Sequence, residues 1–485
     1  EKEHTFSPAS FLEELDECCS NAGFSGSRCH HEQGGTLLGG EGFGNRGNSV
    51  NLVGATSNFS VDRTCGKRLA VGAAGDGEGD DGRTGRRRAM ASTIGRGSSV
   101  CAATVATQTR MGCASWSSRA GTALVLLAIA WIGVAATLGP QDATNPLPGV
   151  FYVLLWVGVV ALSLLCGPAW RVLSPVRAVY RVLPFSRRPP PADYPQRWGY
   201  WPAAAGLYMF VWLELASADP GSLGAVKIWL VVYVAITLAG ALACGTRWCA
   251  RADPFEVYSM VASRLSPLRR NADGRIAVGN PFDHLPSLPI RPGIVAVLAV
   301  LLGSTAFDSF SAMPGWRAFV DELAGDSTFA AVTIRTVGLA VFVATVATTF
   351  WLAARATGGV DASTRRALPG LLAHSLIPIV IGYVFAHYLT YLVERGQQTL
   401  LRLADPLGRG WLSDVDVSYV LSMHPAVLST LKVGFVLAGH IAGVVAAHDR
   451  ALRVLPKKHQ VTGQLAMMLV MVGYTFTGLY LLFGG

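Results

Sequence analysis

The side chains best suited to chemistry in this chain are ionisable residues set inside long apolar stretches. The stretch 368–394 holds His374, His387, Tyr391 and Glu394, while 426–448 holds His440 and ends on His448, followed by Asp449. Glu214 stands near the end of the stretch 200–217, and Asp308 closes Gly303-Ser304-Thr305-Ala306-Phe307-Asp308 just after 291–306. Ionisable groups at bilayer depth are costly, so they face protein or water and mark candidate sites. On a helix, His387, Tyr391, Glu394 and Gln398 fall at i, i+4, i+7 and i+11, which is one face. His387 and Glu394 are then about 10 Å apart along the axis. That is too far to share an ion whose ligand bonds are about 2.0–2.2 Å. Any metal site must therefore be assembled between helices. His374 and His440 each lie roughly 9–12 Å in from the same side, a depth at which antiparallel neighbours can pair them. The other candidate set is His387 and Glu394 with Asp308 or Glu214. The plainer alternative is a histidine that hydrogen-bonds a neighbouring helix and has no chemical role.

Signatures for other chemistries are missing. The sequence has no Walker loop, serine nucleophile elbow, zincin helix or paired CxxC, and no strand–helix context for a dinucleotide fingerprint. Cys244 and Cys249 read as unpaired thiols rather than zinc ligands.

The elements that must position these residues follow from composition. Of 485 residues, 51% are hydrophobic and only 15% charged. So few charges cannot cover so much apolar side chain, which excludes a soluble globular reading, and disorder throughout is excluded by the same balance. From about residue 120, nine apolar runs of roughly 17–25 residues recur, long enough to cross a bilayer. They are 121–138, 150–166, 200–217, 225–244, 291–306, 331–354, 368–394, 426–448 and 463–483. In hydrocarbon the backbone must pair within each run, so the expected fold is an all-α polytopic helix bundle of about nine transmembrane helices. The basic residues gather in 168–198, 245–290, the turn with Arg365 and Arg366, and the segment after 448. With nine crossings these lie on one side, which the positive-inside rule makes cytoplasmic, together with the N-terminus. The net charge of +9 is then a membrane-topology signal, and no nucleic acid partner is expected. Residues 1–118 read differently. They are rich in Gly, Ser, Arg and Cys and lack helical or strand period. This segment is expected to be disordered or non-native, with 119–485 as the transmembrane helical domain.

Several segments together resemble the polytopic actinobacterial membrane proteins labelled fenitrothion hydrolase. They are Ala373-His374-Ser375-Leu376-Ile377-Pro378-Ile379, Ala386-His387-Tyr388, Gly396-Gln397-Gln398 with Ala404-Asp405-Pro406-Leu407-Gly408, and Ala438-Gly439-His440 with Ala447-His448-Asp449-Arg450. Thr305-Ala306-Phe307-Asp308 and Arg197-Trp198-Gly199-Tyr200-Trp201-Pro202 match as well. The resemblance covers roughly 120–485. It implies hydrolysis of an organophosphorus triester, an apolar small molecule that partitions into lipid. A divalent metal such as zinc would supply activated water and Lewis acidity for that reaction. On this reading His374, His387 and His440 bind the metal, and Asp308 or Glu394 acts as a further ligand or catalytic base. The alternatives are a proton path in a transporter, a haem or redox subunit, and a non-catalytic scaffold that needs a partner membrane subunit.

Overall fold

A computed structural model describes residues 119–270, 276–460 and 462–483. The segment 1–118, expected to be disordered, lies outside the described residues. The apolar runs form helices α1 (Arg119–Leu138), α2 (Leu147–Cys166), α3 (Pro175–Val182), α4 (Trp201–Leu215), α5 (Leu223–Cys244), α6 (Pro254–Ala262), α7 (Ile294–Ser311), α8 (Pro314–Ala324), α9 (Thr328–Arg355), α10 (Ala362–Ala404), α11 (Pro425–Val454) and α12 (Leu465–Phe483). Their starts are set locally. Ser222, Ser327 and Asp361 accept hydrogen bonds from backbone amides at the starts of α5, α9 and α10, and Pro opens α3, α6, α8 and α11, where its missing N–H costs nothing. Among the described residues the only strands are a small antiparallel ribbon, Leu268–Arg270 with Ile276–Val278.

Eight of the described helical segments are long and apolar enough to cross a membrane. The ninth expected crossing, 200–217, is α4, which is shorter than expected. Its 15 residues span about 22 Å, short of the roughly 30 Å of hydrocarbon. It nevertheless runs between the two faces of the bundle. At its start Tyr200 N–H donates to Pro292 carbonyl. Just past its end Pro220 carbonyl accepts from Tyr152 at the start of α2. Ala203, Ala204, Leu207, Phe210 and Val211 are buried, so protein rather than lipid surrounds much of this helix, and its length need not match the bilayer.

Cross-links between loops define the faces. Ala192 N–H donates to Ala243 carbonyl, and Gln196 accepts from both Arg251 and Arg291. These join 168–198 and 245–290 on one arginine-rich face. On the opposite face Lys227 donates to Gln141, Arg402 to Ala143 carbonyl and Trp131 to Leu403 carbonyl.

Residues 245–290 are not simply a loop. Helix α6 is buried along most of its length, with Tyr258 against Trp156 at 5.0 Å and Phe255 against Phe210 at 5.4 Å between ring centroids. Its two carboxyl groups, Glu256 and the capping Asp253, are paired in place. Arg177 donates to both carboxylate oxygens of Glu256. Asp253 accepts from Tyr233 hydroxyl and Trp170 indole as well as from two backbone amides. Such pairing is the condition for burying charge among apolar neighbours.

Helices α10 and α11 pack closely through small residues. A Cβ on Gly439 would lie 2.6 Å from Pro378 carbonyl oxygen, and one on Gly443 would lie 2.8 Å from Ser375 carbonyl oxygen. On the facing helix, a Cβ on Gly382 would collide with Phe435 carbonyl oxygen. Backbone approach through small residues spaced four apart is how helices associate where no hydrophobic effect drives them together.

Candidate functional site

Helix α7 is apolar through Gly303, and Asp308 and Ser309 stand side by side in its last turn. Helix α10 brings His387 and Tyr388 to them. His387 Nε2 lies 2.9 Å from Asp308 Oδ2, and His387 Nδ1 lies 3.2 Å from Ser309 Oγ. Tyr388 hydroxyl donates to the same Asp308 oxygen at 2.7 Å. With Nε2–H donating to the carboxylate, Nδ1 is the acceptor for the serine hydroxyl. The His387 and Asp308 side chains are each 22% exposed, while Ser309 is buried. A carboxylate, an imidazole and a hydroxyl thus stand in one hydrogen-bonded line. This arrangement is recognised by geometry and roles rather than by sequence order.

The backbone is irregular where the line is built. Tyr388 has φ −106° and ψ 18°, outside the helical region, and the turn Tyr391–Arg395 that follows is π-helical. A second π-helical stretch, Val150–Gly158 in α2, packs against that turn. Such turns gather at functional sites because they re-aim side chains. Here they present Tyr152 and Trp156 from one helix and Tyr391 from the other. Glu214 of α4 completes the surroundings. It acts electrostatically on Asp308, and its Oε2 is buried without a hydrogen-bond partner. Tyr258 hydroxyl is also buried and unpaired. Buried polar atoms without partners are rare and call for a reason, such as a bound water or a catalytic role.

The other residues singled out from sequence lie elsewhere. His374 Nδ1 is 3.0 Å from Leu371 carbonyl, and the residue sits beside Ala446 of α11. His440 Nδ1 is 2.8 Å from Val436 carbonyl, and the residue faces Tyr474 of α12. Ala446 is six residues beyond His440, about 9 Å along the axis, so the two histidines are at different levels with different neighbours. Each turns its buried Nε2 toward the backbone of a neighbouring helix, His374 at Ala446 and His440 at Tyr474. Glu394 accepts from Ser422 amide and hydroxyl and so holds the connection before α11 instead of joining Asp308. The expected metal set of His374, His387 and His440 is therefore not brought together. Among the described residues no three His, Cys, Asp or Glu side chains are grouped to hold an ion, and the arrangement does not fit the three-histidine centre. Asp308 with His387 is the part of the expectation that the fold assembles. Ser309 and Tyr388 were missed. The only sequence signal for Ser309 was its place next to Asp308.

The fold defines the class as a multi-pass helical membrane protein. No family model, curated protein or solved structure matches the chain.

Proposed function

We propose that this protein is a membrane hydrolase of apolar esters, with organophosphorus triesters as the substrate class, and that Asp308, His387 and Ser309 carry the reaction. The observation that supports this most is the continuous hydrogen-bonded line from Asp308 through His387 to Ser309. Asp308 holds the imidazole in the tautomer with Nδ1 free to accept a proton, and Tyr388 fixes the carboxylate. His387 takes the Ser309 proton as Oγ bonds to phosphorus, the bond from phosphorus to the aryl oxygen breaks, and the proton passes to the departing phenolate. Water then attacks the phosphoserine with His387 again as base. The phosphorus–Oγ bond breaks, Ser309 regains a proton, and a dialkyl phosphate or thiophosphate anion is released. A neutral triester concentrates in lipid, so a site near membrane depth meets its substrate there. The arginine-rich face is cytoplasmic on this reading and the site lies toward the outer face of the cell membrane.

The test is release of the nitrophenol from fenitrothion by protein purified in detergent. Wild type should turn over. His387→Ala and Asp308→Asn should each lose roughly 100-fold or more, the scale of general-base catalysis. Equal rates in wild type and both variants would refute the assignment.

A further inference from the structure

On the same face as the catalytic line, a cavity of about 180 Å³ opens between α2 and α10. Its walls include Tyr152, Tyr391, Arg395, Gln398, Thr399 and Arg402. Two cations and several neutral hydrogen-bonding groups line it, and none of its lining residues is acidic. Each guanidinium is only partly used. Arg395 Nη1 donates to Gln398 Oε1, and Arg402 Nη1 donates to Ala143 carbonyl. Among the described residues neither has a carboxylate oxygen within ion-pair distance. The nearest acidic groups, Glu394 by Arg395 and Asp142 by Arg402, act on them electrostatically but accept their hydrogen bonds from Ser422 and Thr144. An arginine presents five donors in a planar fork suited to phosphate oxygens, so several donors on each remain available.

The cavity also borders the catalytic line. The Tyr391 ring in its wall lies 6.1 Å from the Tyr388 ring, and Tyr388 donates to Asp308. Tyr152 and Tyr391 both interact electrostatically with Glu214. A group leaving Asp308 and His387 toward water has this cavity beside it.

We propose that this cavity is a binding site for a monoanionic phosphodiester, held by Arg395 and Arg402. This rests on the hydrolase reading for its role, since a dialkyl phosphate anion is what triester hydrolysis leaves behind. Its binding chemistry stands independently of that reading. A free diester and the headgroup phosphate of an anionic phospholipid share the same chemistry, and the cavity takes either.

The test is binding of dimethyl phosphate to the full chain in phospholipid-free detergent, followed by phosphorus NMR or calorimetry. Wild type should bind saturably. Arg395→Gln and Arg402→Gln should each weaken binding roughly tenfold, the loss of one charge-assisted contact. Arg409→Gln, which removes a charge on the same connection but outside the cavity, should bind as wild type. His387→Ala should also bind as wild type while losing triester turnover, which separates the site from the chemistry. If wild type and the arginine variants behave as expected but no triester is turned over, the cavity stands and the hydrolase reading fails. Added phosphatidylglycerol that displaces dimethyl phosphate identifies a lipid headgroup as occupant; no displacement identifies the free diester. Absence of saturable binding, or equal loss in Arg402→Gln and Arg409→Gln, would overturn the proposal.

Discussion

Ser309 and His387 are 78 positions apart in the chain and meet at 3.2 Å. The histidine was legible as a candidate because an ionisable ring in an apolar run is costly and needs a reason. Asp308 was legible on the same ground. Ser309 and Tyr388 were not, because a hydroxyl inside a helix commonly bonds the carbonyl four residues back and carries no signal of its own. Ser309 Oγ also has Thr305 carbonyl at 3.3 Å as an alternative acceptor for its one proton. The histidines left outside the line lead to a separate prediction. His374 and His440 each satisfy one nitrogen on their own helix and turn the other toward the backbone of a neighbouring helix, at Ala446 and Tyr474. Exchange for leucine gives up that one interhelical contact and keeps most of the volume. His374→Leu and His440→Leu should therefore fold and retain turnover in the fenitrothion assay. Loss of turnover in a folded His440→Leu protein would instead favour the metal reading.

At the level of helices, the apolar runs were readable because hydrocarbon imposes one solution on the backbone. What composition did not reveal was interruption. The bend at Tyr388, the π-helical turns and the buried α6 depend on which helices pack together, and local apolarity does not record that. The packing of α10 on α11 depends on close backbone contact at Gly382, Gly439 and Gly443. Gly439→Leu should destabilise the bundle by about 1–3 kcal/mol, as overpacking does, because Pro378 carbonyl cannot move aside as a flexible side chain can. Thermal unfolding in detergent would read the loss, and an unchanged midpoint would contradict the close packing. The start of α10 has a pH dependence. Hydrogen bonds from Ser363 hydroxyl, then from Thr364, hold the Asp361 carboxyl below the ordinary aspartate range. A lowered carboxylate pKa contributes stability that is fully present above the unfolded value of about 3.9 and is lost as pH falls toward the folded value. Amide exchange at Ser363 and Thr364 should therefore be protected at neutral pH. In Asp361→Ala that protection should be lost with turnover intact; persistent protection would contradict the capping role.

For the molecule as a whole, the loop charges and the observed loop contacts agree on which segments share a face. The arginine-rich segments 168–198 and 245–290 are hydrogen-bonded together, and the connections carrying Gln141, Ala143 and the mixed-charge segment 395–425 meet opposite them. If the basic face is cytoplasmic, Ser413→Cys in a cysteine-free background should react with an impermeant maleimide on intact cells. Arg188→Cys should react only after permeabilisation, and the reverse pattern would invert the topology. Most of the bundle was thus legible from apolar length and charge, whereas the site was half legible, since its ionisable members stand out and its hydroxyls do not. The hydrolase reading requires Ser309 as the nucleophile that His387 activates. Its most direct test is mass-spectrometric mapping of the protein after reaction with a phosphonylating fluorophosphonate. A single adduct on the peptide carrying Ser309, missing in Ser309→Ala and strongly slowed in His387→Ala, is the predicted result. An unmodified Ser309 in protein that still hydrolyses the triester would contradict it.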